Sequence, residues 1–335
     1  MSVMKIGING FGRIGRAVFR IIEERDDIEV VAVNDLFDHA ALRYLLAYDT
    51  VMGSFPNDLR LEDGHLVTPK SRVRMLSERD PSALPWAELG VDAVVESTGA
   101  FRKRDQLQAH LDAGAPRVVL TVPAKDEIDY TVVLGVNEEG LKPEHRIVSN
   151  ASCTTNCLAP MARVLHEEFG ILEGVINTVH AYTNDQRLAD VPHSDWRRSR
   201  AAAENIIPTS TGAAKAVGVV LPELKGLLHG IASRVPVPDG SVVDLFVKLS
   251  RTVSVEEVDR AVLAASESER LAGILQYSER PLVSSDVIGN NHSSIYDSGF
   301  TAVTGGRYLR VLNWYDNEWG YSCRVIDVLA KMHAF

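Results

Sequence analysis

The sequence has 335 residues, of which 45% are hydrophobic and 24% are charged, and this composition is typical of a globular protein with more than one domain. The formal net charge of -10 argues against nucleic acid or an anionic membrane as the main partner, and no apolar run approaches the roughly 20 residues needed to cross a bilayer. Three cysteines do not provide a disulfide framework, and the N-terminal residues lack the apolar core and cleavage site of a signal peptide, so we expect a cytoplasmic protein.

The N-terminal segment predicts a strand, a glycine turn, a helix and a second strand. Val3 to Asn9 is a short apolar run that ends at a glycine, and apolar residues between Arg13 and Arg25 recur with the spacing of one helical face. Glu29 to Asn34 is a second apolar run. This order is that of the βαβ unit of a parallel sheet.

The alternation of strands and helices continues to about residue 150. Predicted elements there are strands at Ala93 to Glu96, Arg117 to Thr121, Tyr130 to Val136 and Ile147 to Val148, and a helix at Gln106 to Ala113. Beyond it we predict helices at Thr155 to Phe169, Ala213 to Val220, Val255 to Ser266 and Arg324 to Met332, strands at Gly174 to Val179, Gly230 to Val235, Val242 to Leu249 and Tyr308 to Tyr315, and a long loop from Tyr182 to Pro208. Long strands with few helices indicate a second domain with a mixed, mostly antiparallel sheet.

The predicted fold class is therefore α/β. A Rossmann-type parallel-sheet domain spans residues 1–150, and an α+β catalytic domain with a mostly antiparallel sheet spans residues 151–316. We expect residues 317–335 to form a C-terminal helix that packs back on the first domain.

A glycine-rich turn follows the first predicted strand. Gly10, Gly12 and Gly15 form the pattern G-x-G-x-x-G, which is weak alone but here closes a strand and opens a helix. Missing side chains let the backbone approach a pyrophosphate at the helix N-terminus, where Arg13 adds a cation. Asp35, at the end of the second strand, can accept hydrogen bonds from ribose hydroxyls and would repel a 2′-phosphate, which favours NAD over NADP. The alternative is a tight turn with a turn aspartate.

Cys153 lies where a strand-like segment meets a predicted helix. The helix dipole stabilises a thiolate there, so we expect the pKa of this thiol to fall. His180, at a predicted strand end, could activate the thiolate and serve as general acid or base. The alternatives are that the three cysteines are small core residues, or that Cys153 and Cys157 bind metal, although their spacing matches no usual zinc pattern.

A group of arginines, hydroxyl residues and a glycine is suited to phosphate. Gly212 precedes a predicted helix and Arg234 lies on a later strand, so guanidinium groups and a helix N-terminus are both available. A solvated face or salt bridges between subunits are the alternatives. The group comprises Arg197, Arg198, Arg200, Thr209, Ser210, Thr211, Gly212 and Arg234.

Four segments resemble the phosphorylating glyceraldehyde-3-phosphate dehydrogenase family, in its NAD-dependent branch. They are INGFGRIGR at 8–16, SNASCTTNCLAP at 149–160, IIPTSTGAAKAVG at 206–218 and NWYDNEWGYS at 313–322. The resemblance implies oxidation of D-glyceraldehyde 3-phosphate to 1,3-bisphosphoglycerate through a hemithioacetal and a thioester at Cys153, with His180 as acid and base. It also implies a homotetramer, with the loop from Tyr182 to Pro208 at a subunit interface.

The resemblance also implies roles for further residues. Asn317 would orient the nicotinamide carboxamide. The dinucleotide contacts would be Gly10, Gly12, Arg13, Ile14, Gly15, Asp35, Arg79, Thr121 and Asn317. The substrate phosphate would contact Thr183 and Arg234, with Arg198 nearby, and inorganic phosphate would contact Ser152, Thr154, Thr211 and Gly212.

Other interpretations of the same residues make different predictions. Erythrose-4-phosphate dehydrogenase shares the nucleophile but works without phosphate, and an NADP-using biosynthetic form would contradict the interpretation of Asp35. Leu36 and the pair Val191-Pro192 resemble the NAD-preferring branch, whereas Ala181 departs from the serine that many family members have. A Cys-His hydrolase would need no dinucleotide, and a dinucleotide-sensing or RNA-binding module would not need Cys153.

Overall fold

A computed structural model describes residues 3–335; residues 1 and 2, which belong to the first predicted domain, lie outside the described residues. The chain divides into two compact units. Of the described residues, the first unit comprises 3–132, 139–151 and 322–335, and the second comprises 133–138 and 152–321. No helix in the described part of the chain has the length and apolar character needed to span a bilayer.

The first unit begins with the predicted strand, helix and strand. Its strands and helices, in chain order, are β1 (Met4–Asn9), α1 (Arg13–Glu23), β2 (Ile28–Asn34), α2 (His39–Ala47), β3 (Tyr48–Asp49), β4 (Gly53–Ser54), β5 (Arg60–Glu62), β6 (His65–Val67), β7 (Arg72–Leu76), α3 (Trp86–Leu89), β8 (Ala93–Glu96), α4 (Arg104–Asp112), β9 (Val118–Leu120), β10 (Tyr130–Thr131) and β11 (Ile147–Ser149).

The main sheet of the first unit is mostly parallel, as the sequence predicts. The strand order is β10-β11-β9-β8-β1-β2-β7-β6-β5, and the pairs from β10 to β7 are parallel while β5, β6 and β7 pair antiparallel. Its central strands are buried, which explains their near-continuous apolar sequences. The order reverses at β1, and in such sheets ligands bind outside the carboxyl ends of the strands at that point.

The second unit contains the remaining elements, except for most of the last helix. They are α5 (Cys153–Phe169), β12 (Ile171–Ala181), β13 (Ile207–Ser210), α6 (Ala213–Val220), β14 (Leu228–Val235), β15 (Ser241–Leu249), α7 (Val255–Ser266), β16 (Leu275–Ser278), β17 (Ser294–Thr304), β18 (Tyr308–Tyr315) and α8 (Trp319–His333), of which residues 322–333 belong to the first unit. Short 3-10 turns lie at Pro81–Ala83, Glu138–Gly140, Arg197–Ser199, Pro222–Leu224 and Ser284–Val287.

The sheet of the second unit is mostly antiparallel, which confirms the predicted fold class. Its order is β13-β14-β12-β15-β18-β17-β16, and only β12 with β14 and β16 with β17 are parallel among the described strands. The parallel pairing places His180, on β12, directly beside Arg234, on β14.

Candidate active site

The glycine turn of the first unit leaves space at the N-terminus of α1. Gly10 has φ +95°, and a Cβ on Gly15 would lie 2.2 Å from the carbonyl oxygen of Gly10. Gly12 is the N-cap of α1 and provides no side-chain cap, and no heavy atom lies within 4 Å of the position of an added Cβ. The backbone at Gly12 is therefore open to the approach of a pyrophosphate at the N-terminus of α1.

Asp35 is positioned beside this turn. Its Oδ2 accepts a hydrogen bond from Phe11 N at 2.7 Å, and its Oδ1 accepts one from Phe37 N at 3.1 Å. Each carboxylate oxygen keeps a further lone pair, so the side chain can also accept hydrogen bonds from ribose hydroxyls. The residues of this unit thus fit an NAD molecule.

The other predicted cofactor residues of the first unit differ in their surroundings. Arg13 Nη1 lies 2.5 Å from Asp49 Oδ2, so its charge is partly neutralised, and Ile14 is partly buried in the first turn of α1. Arg79 is exposed at the end of the loop after β7. Thr121 is buried, and its hydroxyl donates to the carbonyl oxygen of Glu96.

Cys153 is the first residue of α5 and faces His180. Its Sγ lies 3.5 Å from His180 Nε2. Ser152 is the N-cap, and its hydroxyl accepts a hydrogen bond from Thr155 N. The preceding Ala151 has φ +53°, a conformation that L-residues rarely adopt and that costs about 1–3 kcal/mol. Such strain is typical of functional sites, because the surrounding structure must hold it in place.

Burial dominates the electrostatics of the Cys153–His180 pair. Burial raises the pKa of the Cys153 thiol to about 11, although the charge of Arg234 and the Thr154 backbone N–H act in the opposite direction. Burial, followed by the charge of Arg234, lowers the pKa of His180 to about 3. The expected fall of the thiol pKa is therefore wrong for the nucleotide-free protein, because loss of solvation outweighs the helix N-terminus. These two shifts favour the neutral thiol and the neutral imidazole.

Arg234 completes a cluster with His180 and the carbonyl group of Ala181. Arg234 Nη1 lies 2.7 Å from His180 Nδ1 and 2.9 Å from Ala181 O, and His180 Nδ1 lies 2.7 Å from the same oxygen. Burial lowers the pKa of Arg234, and its Nε is buried without a hydrogen-bond partner. A partly buried guanidinium with an unused buried donor is suited to an anion. Residue 181 contributes to this cluster through its carbonyl oxygen.

The remaining predicted phosphate ligands have partners of their own. Arg198 pairs with Asp185, and its Nε donates to Thr209 Oγ1 at 3.0 Å. The Thr154 hydroxyl hydrogen-bonds to the hydroxyl group of Tyr315 at 2.9 Å, so a phosphate would compete with this contact.

The other predicted phosphate ligands include Thr183, Thr211 and Gly212. Thr183 N donates to Gln186 Oε1 at 3.3 Å, and Thr211 Oγ1 accepts from Ala213 N at 3.2 Å. Gly212 caps α6 without a side chain, which leaves backbone donors in the first turn available.

Tyr315 and Ser241 contact the predicted site residues, although neither is among them. The buried Tyr315 hydroxyl links Thr154 to Thr178, and its ring meets His180 edge-on at 5.9 Å. Ser241 Oγ donates to Asn317 Oδ1 at 2.6 Å and so fixes the orientation of this amide. Tyr315 lies inside the quoted NWYDNEWGYS segment, which is a signal that could have found it, whereas no motif indicates Ser241.

These features define a class, the nucleotide-dependent dehydrogenases that carry a cysteine nucleophile. Residues 4–104 match the family profile described as glyceraldehyde 3-phosphate dehydrogenase, NAD binding domain, and residues 152–317 match the C-terminal domain of the same family. The chain belongs to the glyceraldehyde-3-phosphate dehydrogenase family.

Curated relatives are similar over nearly their whole length. The chain is 56% identical over 328 residues to glyceraldehyde-3-phosphate dehydrogenase of Geobacillus stearothermophilus, covering 98% of this chain and 97% of the relative. It is 56% identical over 335 residues to that of Borreliella burgdorferi, covering 98% and 99%. It is 53% identical over 327 residues to that of Streptomyces coelicolor, covering 97% of each.

Proposed function

We propose that this protein oxidises D-glyceraldehyde 3-phosphate with NAD and phosphorylates the product to 1,3-bisphosphoglycerate, in glycolysis or gluconeogenesis. The observation that carries the proposal is the 3.5 Å contact between Cys153 Sγ and His180 Nε2, with Arg234 on the other side of the imidazole. This arrangement puts a nucleophile, an imidazole suited to proton transfer and an anion ligand in one cluster.

The first step is attack of Cys153 Sγ on the aldehyde carbon. The C–S bond forms as the thiol proton moves by way of His180 Nε2 to the aldehyde oxygen, which gives a hemithioacetal without placing a free charge in the buried site. The guanidinium of Arg234, with Thr183 and Arg198, binds the substrate phosphate and so positions the carbon that reacts.

The second step is oxidation of the hemithioacetal to a thioester. His180 Nε2 accepts the hydroxyl proton as the carbonyl group forms. NAD, when bound, supplies the hydride acceptor for this step. Asp35, the glycine turn, Arg13, Ile14, Arg79, Thr121 and Asn317 hold the dinucleotide in this proposal.

The third step is attack of inorganic phosphate on the thioester. Ser152, Thr154, Thr211 and Gly212 bind this phosphate, through hydroxyl groups and backbone N–H groups. The new C–O bond forms as the C–S bond breaks, the sulfur takes back the proton held by His180, and the proton of the phosphate leaves to solvent. The enzyme is thereby restored.

The test is NADH formation from glyceraldehyde 3-phosphate with and without phosphate or arsenate. We expect NADH formation beyond one turnover to require one of these anions. Turnover without any anion would remove the third step, and turnover with erythrose 4-phosphate but not with the three-carbon aldehyde would favour the alternative enzyme. A preference for NADP would overturn the role of Asp35.

We also propose the division of labour among the predicted domains. Residues 1–150 bind NAD, residues 151–316 carry the catalytic side chains, and residues 317–335 return to the first domain. Support comes from the assignment of residues 322–335 to the first compact unit. We further propose that the protein acts in the cytoplasm.

We propose that the protein is a homotetramer, and an exposed apolar face of the second unit is suited to one of its subunit contacts. Val175, Ile231, Phe246 and Tyr308 lie on one face of the adjacent strands β12, β14, β15 and β18, and each is at least 40% exposed. Such a patch is unusual on a monomer and suits a second copy of the chain. The exposed Leu188 and Trp196 offer a further contact on the 182–208 loop. Light scattering on the wild-type protein and on Phe246→Glu, which we expect to dissociate, tests the assembly.

A further inference from the structure

Three buried polar side chains lie side by side at the carboxyl ends of adjacent parallel strands. Asn34 ends β2, Asn9 ends β1 and Glu96 ends β8, and strand register places Asn34 beside Asn9 and Asn9 beside Glu96. Their exposed fractions are 4%, 1% and 0%. We call these three residues the buried polar row.

Hydrogen bonds connect the row into one chain with a defined direction. Asn9 Nδ2 donates to Glu96 Oε2 at 2.6 Å, and Asn34 Nδ2 donates to Asn9 Oδ1 at 2.7 Å. Asn34 Oδ1 in turn accepts from Glu78 N at 2.7 Å, and Asn34 Nδ2 donates to Glu78 O. Because an amide has one donating and one accepting end, the orientation of each asparagine follows from that of its neighbour.

Glu96 sets this direction. Its carboxylate also accepts from Thr98 N at 2.9 Å, from the Thr98 hydroxyl and from His110 Nε2 at 3.1 Å. Trp86 Nε1 donates to His110 Nδ1 at 3.1 Å, so the proton of the neutral imidazole is on Nε2 and points at Glu96. Every contact of the carboxyl group is thus with a donor, which is what an ionised, acceptor-only carboxylate requires.

Each residue of the row is adjacent to a part of the proposed cofactor site. Asn9 directly precedes Gly10, and Asn34 directly precedes Asp35. Glu78, at the end of the chain of hydrogen bonds, precedes Arg79. The carbonyl oxygen of Glu96 accepts from both the N–H and the hydroxyl of Thr121.

We propose that Glu96 is a positioning residue for the dinucleotide, and that it acts through the buried polar row to hold the strand ends from which the cofactor residues project. This inference rests on the proposed function, because it takes NAD as the ligand. Gly10, which begins the glycine turn, directly follows Asn9, so a fixed Asn9 side chain also fixes the point at which the turn leaves β1. A glutamine at position 96 would point its NH₂ group at one or more of the donors that now face the carboxylate. The orientations of the Asn9 and Asn34 amides would then no longer be fixed.

The experiment compares Glu96→Gln with wild-type protein in NAD binding by calorimetry and in amide hydrogen exchange without nucleotide. We expect Kd for NAD to rise at least about tenfold, because hydrogen bonds to a buried charge are lost. With saturating NAD, kcat and KM for the aldehyde should stay within about threefold of wild type. In the nucleotide-free variant, the amides of Gly10, Phe11 and Thr98 should exchange faster.

Matched variants separate positioning from stability. Glu23→Gln makes the same chemical change at a buried glutamate on α1, where the partner is Ser71 and no cofactor residue is adjacent, and its Kd for NAD should not change. Asn34→Ala interrupts the row at a second point and replaces the first variant if Glu96→Gln does not fold. The inference would be overturned if folded Glu96→Gln or Asn34→Ala bound NAD with the wild-type Kd. It would also be overturned if Glu23→Gln lost as much affinity for NAD as Glu96→Gln. Wild-type protein that binds NAD but does not oxidise the aldehyde would contradict the proposed function alone.

Discussion

The Nη1 atom of Arg234 lies 2.7 Å from the Nδ1 atom of His180. A guanidinium group only donates hydrogen bonds and a carbonyl oxygen only accepts them, so Nδ1 can satisfy only one of its contacts with Arg234 and Ala181 O at a time. While Nδ1 accepts from Arg234, the imidazole proton is on Nε2, toward Cys153. A histidine with its proton on Nε2 can stabilise a thiolate but cannot accept a proton there. If Arg234 turns toward a phosphate, Nδ1 is free to donate to Ala181 O, which is 2.7 Å away, and Nε2 becomes a proton acceptor.

This geometry predicts that an anion at Arg234 activates His180. Oxidation of unphosphorylated glyceraldehyde should therefore become faster when phosphite is added, because the anion draws the guanidinium away from Nδ1. Arg234→Gln should abolish this activation and lower kcat/KM for glyceraldehyde 3-phosphate by about a hundredfold or more, since a charged hydrogen bond to the substrate is also lost. Steady-state rates with arsenate as acyl acceptor measure both effects. Phosphite activation that survives in Arg234→Gln would contradict this account.

Alkylation tests the state of the cysteines. Cys153 is partly exposed whereas Cys157 and Cys323 are buried, so iodoacetamide should label Cys153 first. Burial raises the pKa of the Cys153 thiol to about 11 from its usual 9.0, and the thiolate fraction therefore grows about tenfold per pH unit below that value. We expect the labelling rate of nucleotide-free protein to keep rising into the alkaline range.

Mass spectrometry of the labelled peptides gives both the rate and the site. Cys153→Ser is the control and should remain unlabelled on the same time scale. A rate that levels off near neutral pH would show that the thiol pKa is lowered, as the helix N-terminus alone suggests. Labelling of Cys157 at the same rate as Cys153 would contradict the conclusion that iodoacetamide reaches Cys153 more easily than the buried Cys157.

Local patterns in the sequence predict the first elements and the start of α5 well. The position of the glycine turn between β1 and α1 could be predicted because the sequences of both elements have strong hydrophobic patterns. The helix α5 begins at Cys153, two residues before the predicted start. Prediction is poorer where the only evidence for a strand is a run of apolar residues. The strand expected over 130–136 ends at Thr131, although residues 132–136 are buried. The predicted elements do not include the hairpin at Asp63-Gly64, where both φ angles are positive, although Asp-Gly is a recognisable turn signature.

Contacts between distant segments could not be predicted from residue patterns. His180 and Arg234 are 54 residues apart and meet because β12 and β14 pair in register. The raised thiol pKa has the same origin, since burial depends on elements packed around Cys153 and not on its place in one helix. The buried polar row likewise depends on the order of strands in the sheet.

Asp239 predicts a pH-dependent loss of stability. Burial, with Asp316 and Glu318 nearby, raises the pKa of Asp239 to about 9, whereas the unfolded chain has the ordinary 3.8. Between these values the unfolded chain loses its proton first, so the stabilisation is complete below the lower pKa and is lost as pH rises toward the upper one. The loss can reach about 1.4 kcal/mol per pH unit.

Asparagine has nearly the same shape as aspartate but cannot ionise, so Asp239→Asn should not lose this stability as pH rises. Its side-chain oxygen can still accept from Gly240 N, and its amide can donate to Asp316. We expect the melting temperature of the variant, relative to wild type, to increase steadily between about pH 5 and about pH 8. A difference in melting temperature that is constant over this range would mean that Asp239 is ionised in the folded protein.

Two glycines of the same turn should respond in opposite ways to alanine. In Gly15→Ala the new Cβ would lie 2.2 Å from the carbonyl oxygen of Gly10, so the backbone must shift and we expect a loss of about 1–3 kcal/mol of stability. In Gly12→Ala the Cβ meets no heavy atom within 4 Å and φ is an ordinary -72°, so the melting temperature should stay near that of wild type. The same methyl group would stand in the space over the first turn of α1, and Kd for NAD should rise about tenfold or more, because the pyrophosphate needs close approach to the backbone. Thermal unfolding without nucleotide and calorimetric titration with NAD measure the two effects separately. If Gly12→Ala binds NAD as wild type does, the pyrophosphate does not approach this turn.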